Sequence, residues 1–197
     1  MKETSQNITS YDYAKRQDTA AREYIDPLAA IEGLVAAMQP DALAALDANG
    51  LMDLIEAADR VHGAAKAGCY RVLAALAERP TYRRAPIEEA ARALAPALGI
   101  SEHAAAAYIA EARTVTRVFP ETLARLASGD VQVAQVRALV EATRALDDQA
   151  ARTVQKRVLH LMPDQNLAAT RKALSRAVLK ADPHGVRRRA PAQTAEV

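Results

Sequence analysis

From residue 27 onward the apolar positions recur at steps of three and four, the spacing that returns to one face of an α-helix. Nowhere do they alternate with the period of two that a half-buried strand requires. Pro27, at a first-turn position, opens "PLAAIEGLVAAM", and Pro40 stops it. A brief helical turn over 41–47 then leads to "NG" at 49–50. The longest periodic run follows, about Leu51 to Arg79, with an expected buried stripe of Leu54, Ala58, Val61, Ala65, Cys69, Val72 and Leu76. Gly63 and Gly68 within it each cost about 1 kcal/mol relative to alanine. With the neighbouring alanines they predict a close helix crossing.

Pro80 ends that helix, and "TYRRAP" connects to the next. Pro86, with Glu88 and Glu89 in the first turn, starts a helix that Gly99 closes. Ser101 is placed to cap its successor, whose buried stripe is expected at Ala105, Tyr108, Ala112, Val115 and Phe119. Pro120 begins a short helix closed by Gly129; Asp130 caps about 131–146, and Asp147 caps about 148–161. "PD" at 163–164 starts the last helix, to about Ala181. The expected fold class is all-α: a multi-helix bundle of seven to nine helices with a long central helix, over 25–182. A flexible polar arm, 1–24, precedes it, and a basic, turn-rich, disordered tail, 183–197, follows.

Composition sharpens this picture in two places. Aromatics make up 4% of the chain, with one Phe and no Trp, so the core must come from Leu, Val, Ile and Ala at close helix spacing. The single Cys69 excludes an intramolecular disulfide and a cysteine-rich zinc site, and its place in the apolar stripe predicts a small buried hydrophobe. The first residues hold no apolar segment of signal-peptide type, and no run of 18 apolar residues occurs. The expectation is a cytoplasmic chain that makes no membrane contact.

Charge changes the picture more. The net charge is +2, but from Glu23 to Asp59 there are eight acids and no Lys or Arg. From Arg152 to Arg189 there are ten bases against Asp164 and Asp182. The last helix carries Arg171, Lys172, Arg176 and Lys180 near one face, and Arg187, Arg188 and Arg189 follow it. A basic face with a tri-arginine beyond it suits the phosphate backbone of DNA. Two alternatives stay open: a solvated helix face, or the two charged ends meeting within one molecule or between two copies as a homo-oligomer.

"LAPALGISEHAAAAYI" at 94–109 has the outline of a helix-turn-helix, with Gly99 in the turn. Base readout needs Arg, Lys, Asn or Gln at the start of the second helix. Only Ser101, Glu102 and His103 stand there, so a packing corner is the favoured reading. His62, His103, His160 and His184 are scattered and lack ligand spacing, so no metal site is expected. Glu88–Glu89 and Asp147–Asp148 sit at predicted helix N-termini, where capping and the helix dipole account for them. No Gly-rich phosphate loop or nucleophile elbow occurs, so no cofactor, small-molecule substrate or catalytic residue is assigned.

The order of punctuation over the C-terminal two-thirds is distinctive: Leu98-Gly99-Ile100-Ser101, an alanine-rich helix to Phe119-Pro120, Leu123 to Gly129 with Val131, then Leu139 to Leu146. With the closing "LSRAVLKADPHGVRRR" it resembles the actinobacterial family called domain of unknown function 222, or the thirteen-E-twelve repeat family, over about 28–189. In that family the domain usually lies upstream of an HNH endonuclease module. The resemblance implies an accessory domain to a DNA-cleaving enzyme, a targeting or oligomerising part, and the basic C-terminal helix and tail add the expectation that it binds DNA weakly and is not catalytic by itself. No position matches the His-Asn-His site, so no nuclease residue is carried over and the module is expected to be absent from this chain. A protein-interaction module and a sequence-specific regulator using the 86–118 helix pair are the other readings.

Overall fold

Seven proline or cap residues set most of the helix starts. Pro40, Pro86 and Pro120 each occupy the first turn of a helix, where the missing N–H costs nothing. Asp47, Ser101, Asp147 and Asn166 each accept from the backbone N–H three residues on, at 2.8 to 3.1 Å. The computed structural model describes residues 27–82 and 85–182. These form nine α-helices and no strand: α1 (Pro27–Ala37), α2 (Pro40–Ala44), α3 (Ala48–Ala77), α4 (Pro86–Leu98), α5 (Glu102–Arg117), α6 (Pro120–Ala127), α7 (Val133–Thr143), α8 (Asp148–Val158) and α9 (Leu167–Ala181). The chain is all-α, as the periodicity requires. The polar arm 1–24 and the tail 183–197 lie outside the described residues.

The long α3 is the axis. α5 and α6 pack along it, α4 packs on α5, and α9 joins α7 and α8 into a second layer. The larger core centres on Tyr70, Phe119, Leu126, Val136, Leu139 and Leu174. A smaller one, made of Ala77, Ala90, Ala91, Ala95, Ala105 and Ile109, fills the α3–α4–α5 junction. Alanine on every side lets these three helices approach closely.

Gly99 ends α4 in the left-handed region at φ 64° with open space around it, so conformation alone calls for glycine there. Gly129 combines φ 75° with a close approach: an added Cβ would lie 2.7 Å from Cγ of Arg60. Gly63 faces the α6 chain, and a Cβ there would sit 3.0 Å from the Leu126 carbonyl oxygen. The close crossing expected of the glycines is therefore real at Gly63. At Gly68 nothing lies within 4 Å.

Several expectations are corrected. α3 buries Gly63, Ala64, Ala67, Tyr70, Ala74 and Ala77. At about 100° per residue these lie roughly opposite the Leu54–Leu76 stripe read from periodicity. Cys69 is exposed, and Val72 is 68% exposed. Small residues won that face because α5 and α6 can reach it closely, and because the Tyr70 hydroxyl finds Glu111 there. On α5 the buried residues include Ile109, with Tyr108 only half-buried. "NG" at 49–50 lies in the first turn of α3, behind its Asp47 cap.

α7 is capped at Gln132, whose N–H donates to Gln135 Oε1 at 2.9 Å. Asp130 instead accepts from the Ser128 hydroxyl at 3.0 Å. "PD" belongs to a short 3-10 turn, Met162–Asp164, and α9 begins after Asn166. α7 and α8 also end earlier than expected, at Thr143 and Val158.

Candidate nucleic-acid interface

α9 is built as a two-faced helix. Thr170, Ala173, Leu174 and Ala177 turn inward, against α7 and α8. Its N-terminal end is pinned from inside by Gln135, a buried side chain whose Nε2 donates to the Met162 and Gln165 carbonyls and to Thr170 Oγ1, at 2.8 to 3.0 Å. The opposite side carries Lys172, Arg176 and Lys180, all exposed. Spaced at four residues, they fall within an arc of about 80°. Among the described residues no carboxylate pairs with any of the three, although Arg176 Nε donates to the Lys172 carbonyl at 3.2 Å. The same hairpin brings Arg152, Lys156 and Arg157, exposed on α8, into the α8–α9 layer.

Arg171 does not join that row. One residue before Lys172, it points about 100° away. It lines a groove of about 710 Å³ between α3, α7 and α9, together with His62, Arg137, Glu141, Ser175 and Leu174. Sequence reading had placed Arg171 with the others, and it gave no hint of Arg137 or His62, which come from helices far away in the chain. Arg187, Arg188, Arg189 and His184 lie outside the described residues.

Arg137 is held on the other side by a polar cluster. Its Nε lies 3.5 Å from Glu111 Oε1, and the Tyr70 hydroxyl donates to the same oxygen. Lys66 Nζ stands 4.7 Å from the ring centres of both Tyr70 and Tyr108. Burial first, then the hydrogen bond to Glu111 and its charge, hold the Tyr70 phenol above its usual 10.0, so it remains a donor. This cluster ties α3, α5 and α7 together and leaves Arg137 aimed along the groove.

At the helix-turn-helix-like corner, Ser101, Glu102 and His103 are exposed, and the Ser101 hydroxyl oxygen is engaged by Ala104 N–H. Of the four alanines behind them, Ala105 is buried in the smaller core, Ala106 packs against it and Ala107 is exposed. Among the described residues no group of three or more His, Cys, Asp or Glu side chains could hold a metal ion, and no helix is long and apolar enough to cross a membrane.

No curated protein and no solved structure matches the chain. A family model does match, over residues 50–195, so α1, α2 and the first residues of α3 lie before the matched region, contrary to the expected coverage from about 28. The helical punctuation from Leu98 to Leu146 lies wholly inside it, and the chain belongs to the family described as "Domain of unknown function (DUF222)".

Proposed function

We propose that this chain is a non-catalytic helical accessory domain that binds DNA weakly and without sequence preference, through the α9 row and the arginines that follow it. The observation that carries this reading is the exposed row Lys172, Arg176 and Lys180, unpaired among the described residues and fixed on a helix whose other face is buried. Cations at a spacing of about 6 Å along a rigid helix track phosphates, which supply affinity and register but no sequence information. The first turn of α5 offers Glu102, which phosphate repels, and His103, so base readout is not assigned to it. Association with an HNH nuclease module, as the family resemblance implies, gives such a domain its setting.

Fluorescence anisotropy of a labelled random duplex, titrated across salt concentrations, tests this. Affinity should fall with salt, and the triple change Lys172→Ala, Arg176→Ala, Lys180→Ala should flatten the log–log slope by roughly 1 per cation removed. The double change Glu102→Ala, His103→Ala should leave affinity nearly unaltered. Absence of binding at low salt overturns the reading. A tenfold loss from the α5 pair would move recognition to the corner.

A further inference from the structure

Seven of the ten large hydrophobic side chains left exposed among the described residues lie between Ile31 and Ile55. On α1 and in the turn after it, Ile31, Val35 and Met38 recur at steps of four and three and are all exposed. On α3, Leu51 and Met52 stand four and three residues before Ile55, with Met52 and Ile55 at 58% and 62% exposure. No residue of α1, of α2 or of α3 before Gly63 enters either core. α1 packs on α3 and α2, so this segment stands as an arm at one end of the bundle. A surface this apolar, contributed by three consecutive elements, is unusual for a chain with no partner.

The arm's charge says what covers it. Up to Asp59 its ionisable side chains among the described residues are Glu32, Asp41, Asp47, Asp53, Glu56 and Asp59, with no Lys or Arg from 27 to 59, and Arg60 beyond them packs against Gly129. Two arms packed face to face would bring twelve carboxylates together with no cation between them, which their mutual repulsion opposes. The occupant must therefore carry exposed apolar surface flanked by positive charge. The exposed face of α9 fits that description. On α9, Leu179 is 49% exposed and stands at the edge of the row of Lys172, Arg176 and Lys180, about 20° round the helix from Lys172. α9 packs on α7 and α8, not on the arm, so the match is made between molecules. Gly63 and Ala67, which a small-residue dimer seam would need, are already buried inside the bundle.

We infer that the acidic, apolar arm of one copy docks on the basic, leucine-bearing face of α9 in a second copy. The contact differs in kind from phosphate binding: it needs the apolar side chains as well as the charges, and it forms without DNA.

Sedimentation velocity of the full chain without DNA, over a concentration series at low and high salt, is the test. Association should appear at low salt and weaken as salt rises. Lys172→Glu with Arg176→Glu should weaken it roughly tenfold or more, since two charge contacts are lost and each reversal adds repulsion. Reversing arm charges in that background, with Asp53→Lys and Glu56→Lys, should restore it. Met52→Ser with Ile55→Ser should abolish it while leaving the fold and the salt-dependent duplex binding of the monomer in place. A strict monomer at every concentration overturns the inference. So does association that survives the α9 reversal, which would place two arms together. Failure of duplex binding leaves this result standing, and failure of association leaves the duplex result standing.

Discussion

The two halves of α3 make the sharpest contrast in the molecule. Its C-terminal half, from Gly63 to Ala77, is built largely of small residues and is the buried spine of the bundle. Its N-terminal half holds the bulkier aliphatic side chains Leu51, Met52, Leu54 and Ile55, yet Leu51, Met52 and Ile55 are exposed and Leu54 is only half-buried. Burial along this helix thus follows the supply of neighbours and not the size of the apolar side chains. Where α5 and α6 arrive, glycine and alanine let them come close, and one large side chain, Tyr70, fills the remaining space. Where only α1 arrives, large side chains remain uncovered.

This contrast can be broken most directly by truncating one residue on each side of it. Tyr70→Ala should cost about 3–5 kcal/mol in chemical denaturation, from the cavity and from the hydrogen-bond partner withdrawn from Glu111. Ile55→Ala should change monomer stability by less than about 0.5 kcal/mol. Equal losses would mean that the arm is part of the core after all.

The two glycines of α3 sharpen the same point at a smaller scale. Gly63→Ala forces Cβ against the Leu126 carbonyl and should destabilise by roughly 1–2 kcal/mol. Gly68→Ala meets nothing within 4 Å and should stabilise by about 0.5–1 kcal/mol through helix propensity, read as a rise in melting temperature. Same-sign shifts would refute the close crossing at Gly63.

A further test concerns the phenol that ties the buried half of α3 to α5 and α7. Folding raises the Tyr70 pKa, through burial first and Glu111 second. The folded chain therefore holds that proton more tightly than the unfolded chain, whose tyrosine titrates near 10.0. This contribution is complete below that pH and is lost as pH rises beyond it. Tyr70→Phe should lose roughly 1 kcal/mol at neutral pH and show a shallower stability decline at alkaline pH, measured by urea unfolding from pH 8 upward. An unchanged alkaline slope would show that Tyr70 is not the group responsible.

Much of the fold was legible before any coordinates. Pro86, Gly99, Ser101, Pro120, Gly129 and Asp147 sit where local rules put them, because each acts through its own backbone or its nearest turn. The failures share a cause. Asp130 and "PD" at 163–164 were read as helix starts from residue type alone, but their neighbours offered a better geometry two or three residues on. On α3 the strongest apolar stripe was the wrong face, since periodicity reports which residues are alike and not which helix will arrive. Of the candidate site, the row Lys172, Arg176 and Lys180 followed from spacing. The groove joining Arg171 to Arg137 and His62 did not, since no local signal relates residues on α3, α7 and α9.

What the sequence determined by itself was the helical class, most helix ends and the split of charge between an acidic beginning and a basic end. These are set by backbone geometry, by capping and by counting, none of which needs a long-range contact. Tertiary structure alone decided which face of α3 is buried, that Cys69 is exposed, that Arg171 leaves the basic row, and that the arm's apolar side chains go uncovered. Each of those depends on where a distant helix packs, and packing is chosen by shape and closeness of approach, which no single segment carries.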